Sequence, residues 1–278
     1  MVRGMGIWRT TDSKGQRMQL FDSHCHLDDK SYDKDRQEVL DRAREAGVAR
    51  CMVVGIDPAT TRKAIRIAAS HPGIVASVGV HPHDAARCSE AVLEDLIKLA
   101  EHPQVHAWGE IGLDFNRMYA PRDDQERWFL RQLEIARQQE LPLIFHERDT
   151  DGRFLSMLQA FGAPTLRGVV HCFSGNRREL EAYLELGLSI GITGIVTMQQ
   201  RGKALRKLVP LIPDDRLLVE TDAPYLTPSP ERNRHRRNEP AFVKSVLLKV
   251  AEVRATDPET MAGITWTNTC RLYNLTDS

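Results

Sequence analysis

The chain has 278 residues, of which 41% are hydrophobic and 27% charged, a composition typical of globular proteins. Lysine plus arginine equals aspartate plus glutamate at 38 each, so the formal net charge is zero, which argues against a broad basic footprint for nucleic acid. No apolar run approaches the roughly 18 residues of a membrane span, so no membrane association is expected. Five scattered cysteines without a CxxC pair indicate a reducing, cytoplasmic location.

Residues 1–17 are polar and lack the continuous apolar stretch that a signal peptide requires. We expect them to form a flexible N-terminal extension. Residues 18–278 are then expected to form one domain, because no low-complexity linker divides them.

Short runs rich in Val, Ile and Leu alternate with segments of helical periodicity along this domain. Segment 36–46 is typical of the helical ones, since its apolar residues mark one face and Gly47 offers a C-terminal cap. Helices are predicted at residues 36–46, 89–101, 123–139, 240–254 and 258–273. Strands are predicted at residues 18–22, 51–56, 74–80, 105–110, 141–146, 168–173, 188–194 and 216–221.

Eight strands alternating with helices predict an α/β protein, a single-domain (β/α)8 TIM barrel. The strands are continuous apolar runs, as buried parallel strands are. A doubly wound open sheet is the alternative architecture. It is disfavoured because no GxGxxG or GxxxxGKS/T motif follows the first strand.

Ionisable residues gather where the predicted strands end, and in such a barrel this edge carries the active site. Glu110 ends the fourth strand with Asp114 just beyond it, and Asp222 follows the eighth strand. Six of the ten histidines lie at strand ends: His24, His26, His81, His83, His146 and His171. The other four are expected to be structural or solvated: His71, His102, His106 and His235.

Imidazoles and carboxylates at one edge of a barrel can hold one or two divalent cations. His24 and His26 are one residue apart on an extended segment, so both side chains point to the same side and suit one ion. His146 and His171 lie on adjacent strands and suit a second ion. Glu110 can bridge the two ions, because a carboxylate has two oxygens.

Asp222 is expected to bind metal and to take a proton from a water that the cations activate. Taken singly, these residues have simpler interpretations: a histidine at a strand end is often hydrogen-bonded within a loop, Glu110 can be a helix-cap partner, and Asp222 an N-cap. Their joint occurrence favours a metal site in which Glu110 and Asp222 are the catalytic carboxylates. Asp22, just before the histidine pair, is interpreted as a residue that orients a ligand.

Seven motifs follow one another along residues 18–275: FDSHCHLD, GVHPH, GEIGLDF, LPLIFHERD, GVVHCFSG, LLVETDAPYL and NTCRLY. In this order and spacing they resemble the TatD family of metal-dependent deoxyribonucleases, a branch of the amidohydrolase-like barrels. The resemblance implies phosphodiester hydrolysis and exonuclease action on DNA ends, commonly with magnesium or manganese. Its metal ligands fall on His24, His26, Glu110, His146, His171 and Asp222. Its substrate-binding positions fall on His81, His83, Asp114 and Arg148.

One position departs from the family pattern. Glu147 stands where the family usually has a small hydroxyl residue, and its carboxylate is expected either to repel a phosphate or to point to solvent. The histidine ligands favour zinc or manganese over magnesium, so the identity of the metal, Mg, Mn or Zn, stays open. After the eighth strand an arginine-rich loop is interpreted either as a phosphate contact or as a solvated loop: Arg232, Arg234, Arg236 and Arg237.

Two other functions fit the same residues. One is metal-dependent hydrolysis of a carbonyl substrate, such as an amide, a lactone or an aminoacyl ester, because fold and ligand set do not separate the two chemistries. The other is a metal-stabilised scaffold without turnover, which the complete ligand set disfavours. The leading prediction is a two-metal DNase that acts on DNA or another phosphodiester as a monomer.

Overall fold

The computed structural model describes residues 18–162 and 167–276. The predicted extension at residues 1–17 lies outside these ranges. Eight strands follow in chain order: β1 Leu20–Cys25, β2 Val48–Val53, β3 Ile74–Val78, β4 Val105–Asp114, β5 Leu143–Arg148, β6 Gly168–Val170, β7 Ser189–Ile192 and β8 Leu217–Val219. The α-helices are α1 Arg36–Glu45, α2 Pro58–Ser70, α3 Glu90–Ala100, α4 Arg122–Gln138, α5 Arg153–Phe161, α6 Arg177–Glu185, α7 Leu205–Leu208, α8 Val243–Val253 and α9 Pro258–Leu272.

Each strand pairs in parallel with the next one in sequence, from β1 to β8. β8 returns to β1 just beyond the strand itself, where Cys25 and Ala223 form a parallel bridge. The Asp222 amide donates to the His24 carbonyl at 2.9 Å, and the His26 amide donates to the Ala223 carbonyl at 2.7 Å. The single-domain (β/α)8 barrel is therefore confirmed, and the doubly wound alternative is wrong because the strand order never reverses.

Strand bounds differ from the predicted ones most clearly in β4, which continues to Asp114 rather than ending at Glu110. The pairing with β5 shifts register between Trp108 and Ile111, so β4 bulges at Gly109 and Glu110 and then resumes. Gly109 has φ 157°, and a Cβ there would lie 2.6 Å from the Ile144 carbonyl oxygen. Glycine thus permits the close approach that lets the strand continue past Glu110.

The barrel interior is packed at its N-terminal end. Phe21 of β1 contacts two aromatic rings of the C-terminal segment, with centroid distances of 6.0 Å to Trp266 and 6.2 Å to Tyr273. The Tyr273 hydroxyl also donates to the Ser23 carbonyl at 3.1 Å. This packing places the C-terminal segment against the N-terminal end of the barrel, and it leaves the C-terminal end for ionisable side chains.

A second apolar layer lies between the strands and the outer helices, where most of the buried hydrophobic residues form one cluster. Over residues 18–162 and 167–276, no helix combines the length and the hydropathy needed to cross a bilayer.

Candidate metal centre

Six side chains converge at the C-terminal ends of the strands, and together they are called the metal centre below: His24, His26, Glu110, His146, His171 and Asp222. They come from β1, β4 and β5 and from the segments just after β1, β6 and β8. The structure thus brings together all six positions expected to bind metal.

Glu110 lies in the middle of the metal centre. Its Oε2 atom is 3.4 Å from His24 Nε2 and 3.9 Å from His26 Nε2. Its Oε1 atom is 2.9 Å from His171 Nε2 and 2.7 Å from His146 Nδ1. The two oxygens of one buried carboxylate therefore face two different histidine pairs.

The donor atoms form two groups that are each compact enough for a cation. In one group, Asp222 Oδ1 lies 3.8 Å from His24 Nε2 and 3.5 Å from His26 Nε2. In the other, the donors of Glu110, His146 and His171 all lie within 4.8 Å of one another. Imidazole and carboxylate are the ligands that Zn²⁺, Mn²⁺ and Fe²⁺ take in proteins.

The arrangement inside the first group also fits a cation. His24 Nε2 and His26 Nε2 lie 3.3 Å apart and face the same space, so two nitrogen lone pairs and two carboxylates converge there. A divalent cation in this space would be within reach of all of these ligand atoms at once. The residues therefore fit a divalent metal.

Burial and neighbouring charges shift the pKa values of the metal-centre residues in opposite directions. Burial alone would raise the pKa of Glu110, but the surrounding imidazoles, His171 foremost, hold it well below its usual value. Burial would also raise the pKa of Asp222, and its hydrogen bond to His26 lowers it instead. Burial would lower the pKa of His26, yet Asp222 raises it to about 9. Neighbouring imidazoles thus favour the charged forms of Glu110 and Asp222 in spite of their burial.

Glu220 is a further member of the site that the sequence interpretation missed. It is fully buried, and its Oε1 atom lies 3.3 Å from His171 Nδ1 and accepts the Cys172 amide at 2.6 Å. A carboxylate on the far nitrogen of a ligating histidine fixes the tautomer and the ring orientation. The signal was present in the VETD sequence, two residues before Asp222, where a second acidic residue enters the barrel end.

Asp22 connects the two strands that carry the first donor group. Its carboxylate accepts the Thr221 amide at 2.8 Å and the Thr221 hydroxyl at 2.6 Å, next to Asp222. Burial raises the pKa of Asp22 to about 8, despite these hydrogen bonds. Asp22 therefore orients the backbone that presents Asp222, rather than a ligand side chain directly.

The four positions expected to bind substrate lie at different depths. His81 is buried, with Nε2 3.5 Å from Glu110 Oε1, and burial lowers its pKa to about 3, so it is neutral. Asp114 is also buried, and its Oδ2 atom lies 2.7 Å from His83 Nε2 and 3.2 Å from His146 Nε2. His83 and Arg148 are partly exposed, and within the described chain no salt bridge is formed by Arg148.

The Glu147 carboxylate forms its described hydrogen bonds with Thr150. Its Oε1 atom accepts the Thr150 hydroxyl at 2.7 Å and the Thr150 amide at 3.2 Å. Burial raises its pKa above the ordinary value, and the Thr150 hydrogen bonds oppose that rise. The carboxylate thus stabilises the turn after β5 rather than pointing freely to solvent, and its effect on a phosphate stays a prediction.

The arginine-rich loop divides into two parts. Arg237 forms a two-pronged ion pair with Asp35, at 2.9 and 2.5 Å, and its guanidinium lies 4.6 Å from the centre of the Tyr32 ring. Arg237 therefore anchors the loop. The remaining three side chains are exposed: Arg232, Arg234 and Arg236.

Known proteins of similar sequence and fold indicate the family to which the chain is related. The model of a family described as TatD related DNase matches residues 21–274. The 3′–5′ ssDNA/RNA exonuclease TatD of Rahnella sp. (strain Y9602) is 44% identical over 259 residues, which are 92% of this chain and 98% of that protein. The crystal structure of YJJV, a TatD homologue from Escherichia coli K12, has a TM-score of 0.84 at 29% identity and covers 93% of this chain and 99% of that chain. A TatD family hydrolase from Entamoeba histolytica has the same TM-score at 25% identity, with 93% and 99% covered.

Proposed function

Because the chain belongs to the TatD-related DNase family and is a hydrolase of phosphodiester bonds, we propose that it removes nucleotides from the 3′ end of single-stranded DNA or RNA with two divalent cations. The name of the Rahnella relative supports the polarity and the strand preference. The observation that carries the two-cation proposal is the position of Glu110, whose two oxygens face two histidine pairs.

His24, His26 and Asp222 would hold one cation, His146 and His171 the other, and Glu110 would contact both. Cations held there supply Lewis acidity, which neutralises phosphate charge and activates water for attack. We propose that the Asp222 carboxylate accepts the proton that the attacking water loses, because it is partly accessible and lies beside the space that His24 and His26 face.

The remaining site residues bind and orient the substrate in this proposal. Arg148 is half-buried on the same face of β5 as His146, and it can donate two hydrogen bonds to the non-bridging oxygens of the phosphate. His83 contributes a further donor, and Asp114 fixes its orientation. His81 is neutral and buried, so it shapes the floor of the site beside Glu110 and adds no charge.

The cellular setting and the oligomeric state belong to the same proposal. All five cysteines are free thiols, which supports a reducing, cytoplasmic location. Few large apolar side chains of the described residues are exposed, which supports a monomer.

Digestion of single-stranded DNA labelled at the 3′ or the 5′ end tests the proposal. We expect release of the 3′ label as mononucleotide, complete loss of activity in chelator, and recovery with added Mn²⁺. The double variant His24→Ala, Asp222→Ala should be inactive under all conditions. A parallel panel of p-nitrophenyl esters and lactones tests hydrolysis of carbonyl substrates, and a metal-dependent rate on these alone would refute the phosphodiester assignment.

A further inference from the structure

Two tyrosines at the rim of the metal centre differ from the other three in the chain. Tyr119 is 66% exposed and Tyr225 is 56% exposed, whereas Tyr32, Tyr183 and Tyr273 are 0–2% exposed. Within residues 18–162 and 167–276, no other aromatic side chain of the Phe, Tyr or Trp type is exposed. Over the described residues, exposed aromatic rings are therefore confined to the surroundings of the site.

The two rings stand on different sides of the metal centre. The Tyr225 ring lies edge-to-face against His26, with the centroids 6.0 Å apart. The Tyr119 ring lies edge-to-face against His83, with the centroids 4.8 Å apart. His83 in turn contacts His146 at 5.9 Å, so each tyrosine borders a different histidine pair.

Both rings are attached to backbone that is held in place. The Asn238 side chain donates to the Tyr225 carbonyl at 2.6 Å, and the Tyr225 amide donates to the Asp222 carbonyl at 2.9 Å. Gln125 of α4 donates to the Ala120 carbonyl, next to Tyr119, at 2.9 Å. Rings on a fixed backbone lose little conformational freedom when a ligand covers them.

The exposed face of each ring offers an uncharged aromatic surface, which suits a nucleobase. Base-on-aromatic stacking needs no particular base, which suits a nuclease that must process any sequence.

We propose that Tyr119 and Tyr225 are stacking platforms for the two nucleobases that flank the phosphodiester bond held at the metal centre. This inference rests on the proposed function, because it requires a nucleic-acid substrate. Bases that are paired in a duplex cannot stack on a protein ring, so the two tyrosines also give a physical reason for a preference for single strands.

Equilibrium binding of a labelled single-stranded DNA ten-mer with non-hydrolysable linkages, measured in Mn²⁺ by fluorescence anisotropy, tests the inference on the metal-loaded protein without turnover. Tyr119→Ala and Tyr225→Ala should each weaken binding roughly 5- to 150-fold, the range that stacking of one base supplies. Tyr119→Phe and Tyr225→Phe keep the ring and should bind within about twofold of the wild type. Leu211→Ala, an exposed apolar side chain that precedes β8 at the opposite end of the barrel, is the control and should bind normally.

A second set of ten-mers carries a reduced abasic residue at the terminal or the penultimate position. The loss caused by each alanine variant should disappear on the oligonucleotide that lacks the base stacked on that ring. Losses that persist unchanged at both abasic positions would overturn the inference, as would alanine variants that bind like the wild type. A wild type that binds base-containing and fully abasic DNA equally would also overturn it. Digestion in Mn²⁺ is scored separately, so a wild type that fails to digest DNA refutes the proposed function while the binding data still decide the role of the tyrosines.

Discussion

Glu220 is the residue on which the orientation of His171 depends. Its carboxylate is buried beside His171 Nδ1, and a hydrogen bond from the Cys172 amide fixes its position. We expect Glu220→Gln to weaken divalent-metal binding roughly 10- to 100-fold, because the amide removes the charge that fixes the imidazole. A competition titration with a chromophoric chelator measures the affinity. Glu147→Gln is the matched control, since the hydrogen bonds described for the Glu147 side chain go to Thr150. Equal affinities in the two variants would contradict this role.

Glu147 acts on stability in this account and not on substrate binding. Glu147→Ala removes the acceptor of two hydrogen bonds from Thr150, so the free energy of unfolding should fall by about 1–2 kcal/mol. Glu147→Gln keeps an acceptor oxygen and should lose less. Urea denaturation measures both, and digestion of single-stranded DNA should stay within about twofold of the wild type. A large gain in digestion by Glu147→Ala would show instead that the carboxylate repels the substrate.

The metal centre was predictable at the residue scale because strand ends of a barrel meet at one edge. His24, His26 and Asp222 needed only that rule and the two-residue period of an extended chain. Glu220 was missed because the VETD sequence shows two acidic residues after the strand but not that Glu220 lies against His171. The burial of His81 could not be predicted from the sequence either, because it depends on how the turn after β3 packs against β4.

At the scale of elements, the loop between β8 and α8 is held to the loop after β1. Arg237 pairs with Asp35 across the two loops and lies over the Tyr32 ring. Arg237→Ala should lower the free energy of unfolding by about 1 kcal/mol and speed amide hydrogen exchange in residues 225–238. Arg234→Ala in the same loop should change neither, since the Arg234 side chain is exposed. Unchanged exchange in Arg237→Ala would refute the anchoring role.

The contribution of the Arg237–Asp35 ion pair to the free energy of unfolding depends on pH. The hydrogen bond from Arg237 lowers the pKa of Asp35 below 3.8, so the folded state binds this proton less readily than the unfolded state. Its contribution to stability is therefore present at neutral pH and is lost as the pH falls through the folded-state pKa. The difference in unfolding free energy between wild type and Arg237→Ala should shrink on acidification below about pH 4. A difference that grows on acidification would contradict the assignment.

Strands and helices were predicted from apolar runs and helical periodicity, and most bounds differ from the observed ones by a few residues. The extension of β4 to Asp114 could not be predicted, because the bulge at Gly109 depends on the approach of Ile144 from β5. A pairing partner determines where a strand ends, and the partner is unknown until the fold is assembled.

At the scale of the whole molecule, the zero net charge limits electrostatic attraction for nucleic acid. Few phosphates should be neutralised, so the affinity for single-stranded DNA should depend only weakly on salt. The slope of log affinity against log salt should be shallower than about −4, the value for six neutralised phosphates. Anisotropy titrations between low and physiological salt measure it, and a steeper slope would show an extended contact with the backbone.

The central claim is that Glu110 joins two cation sites in one chain. Electron paramagnetic resonance of the protein titrated with Mn²⁺ tests it most directly, because two Mn²⁺ ions bridged by a carboxylate give an exchange-coupled spectrum. We predict two Mn²⁺ ions per chain with a coupled signal in the wild type, and loss of the coupling in Glu110→Gln. A single Mn²⁺ per chain, or two that remain uncoupled in the wild type, would contradict the account.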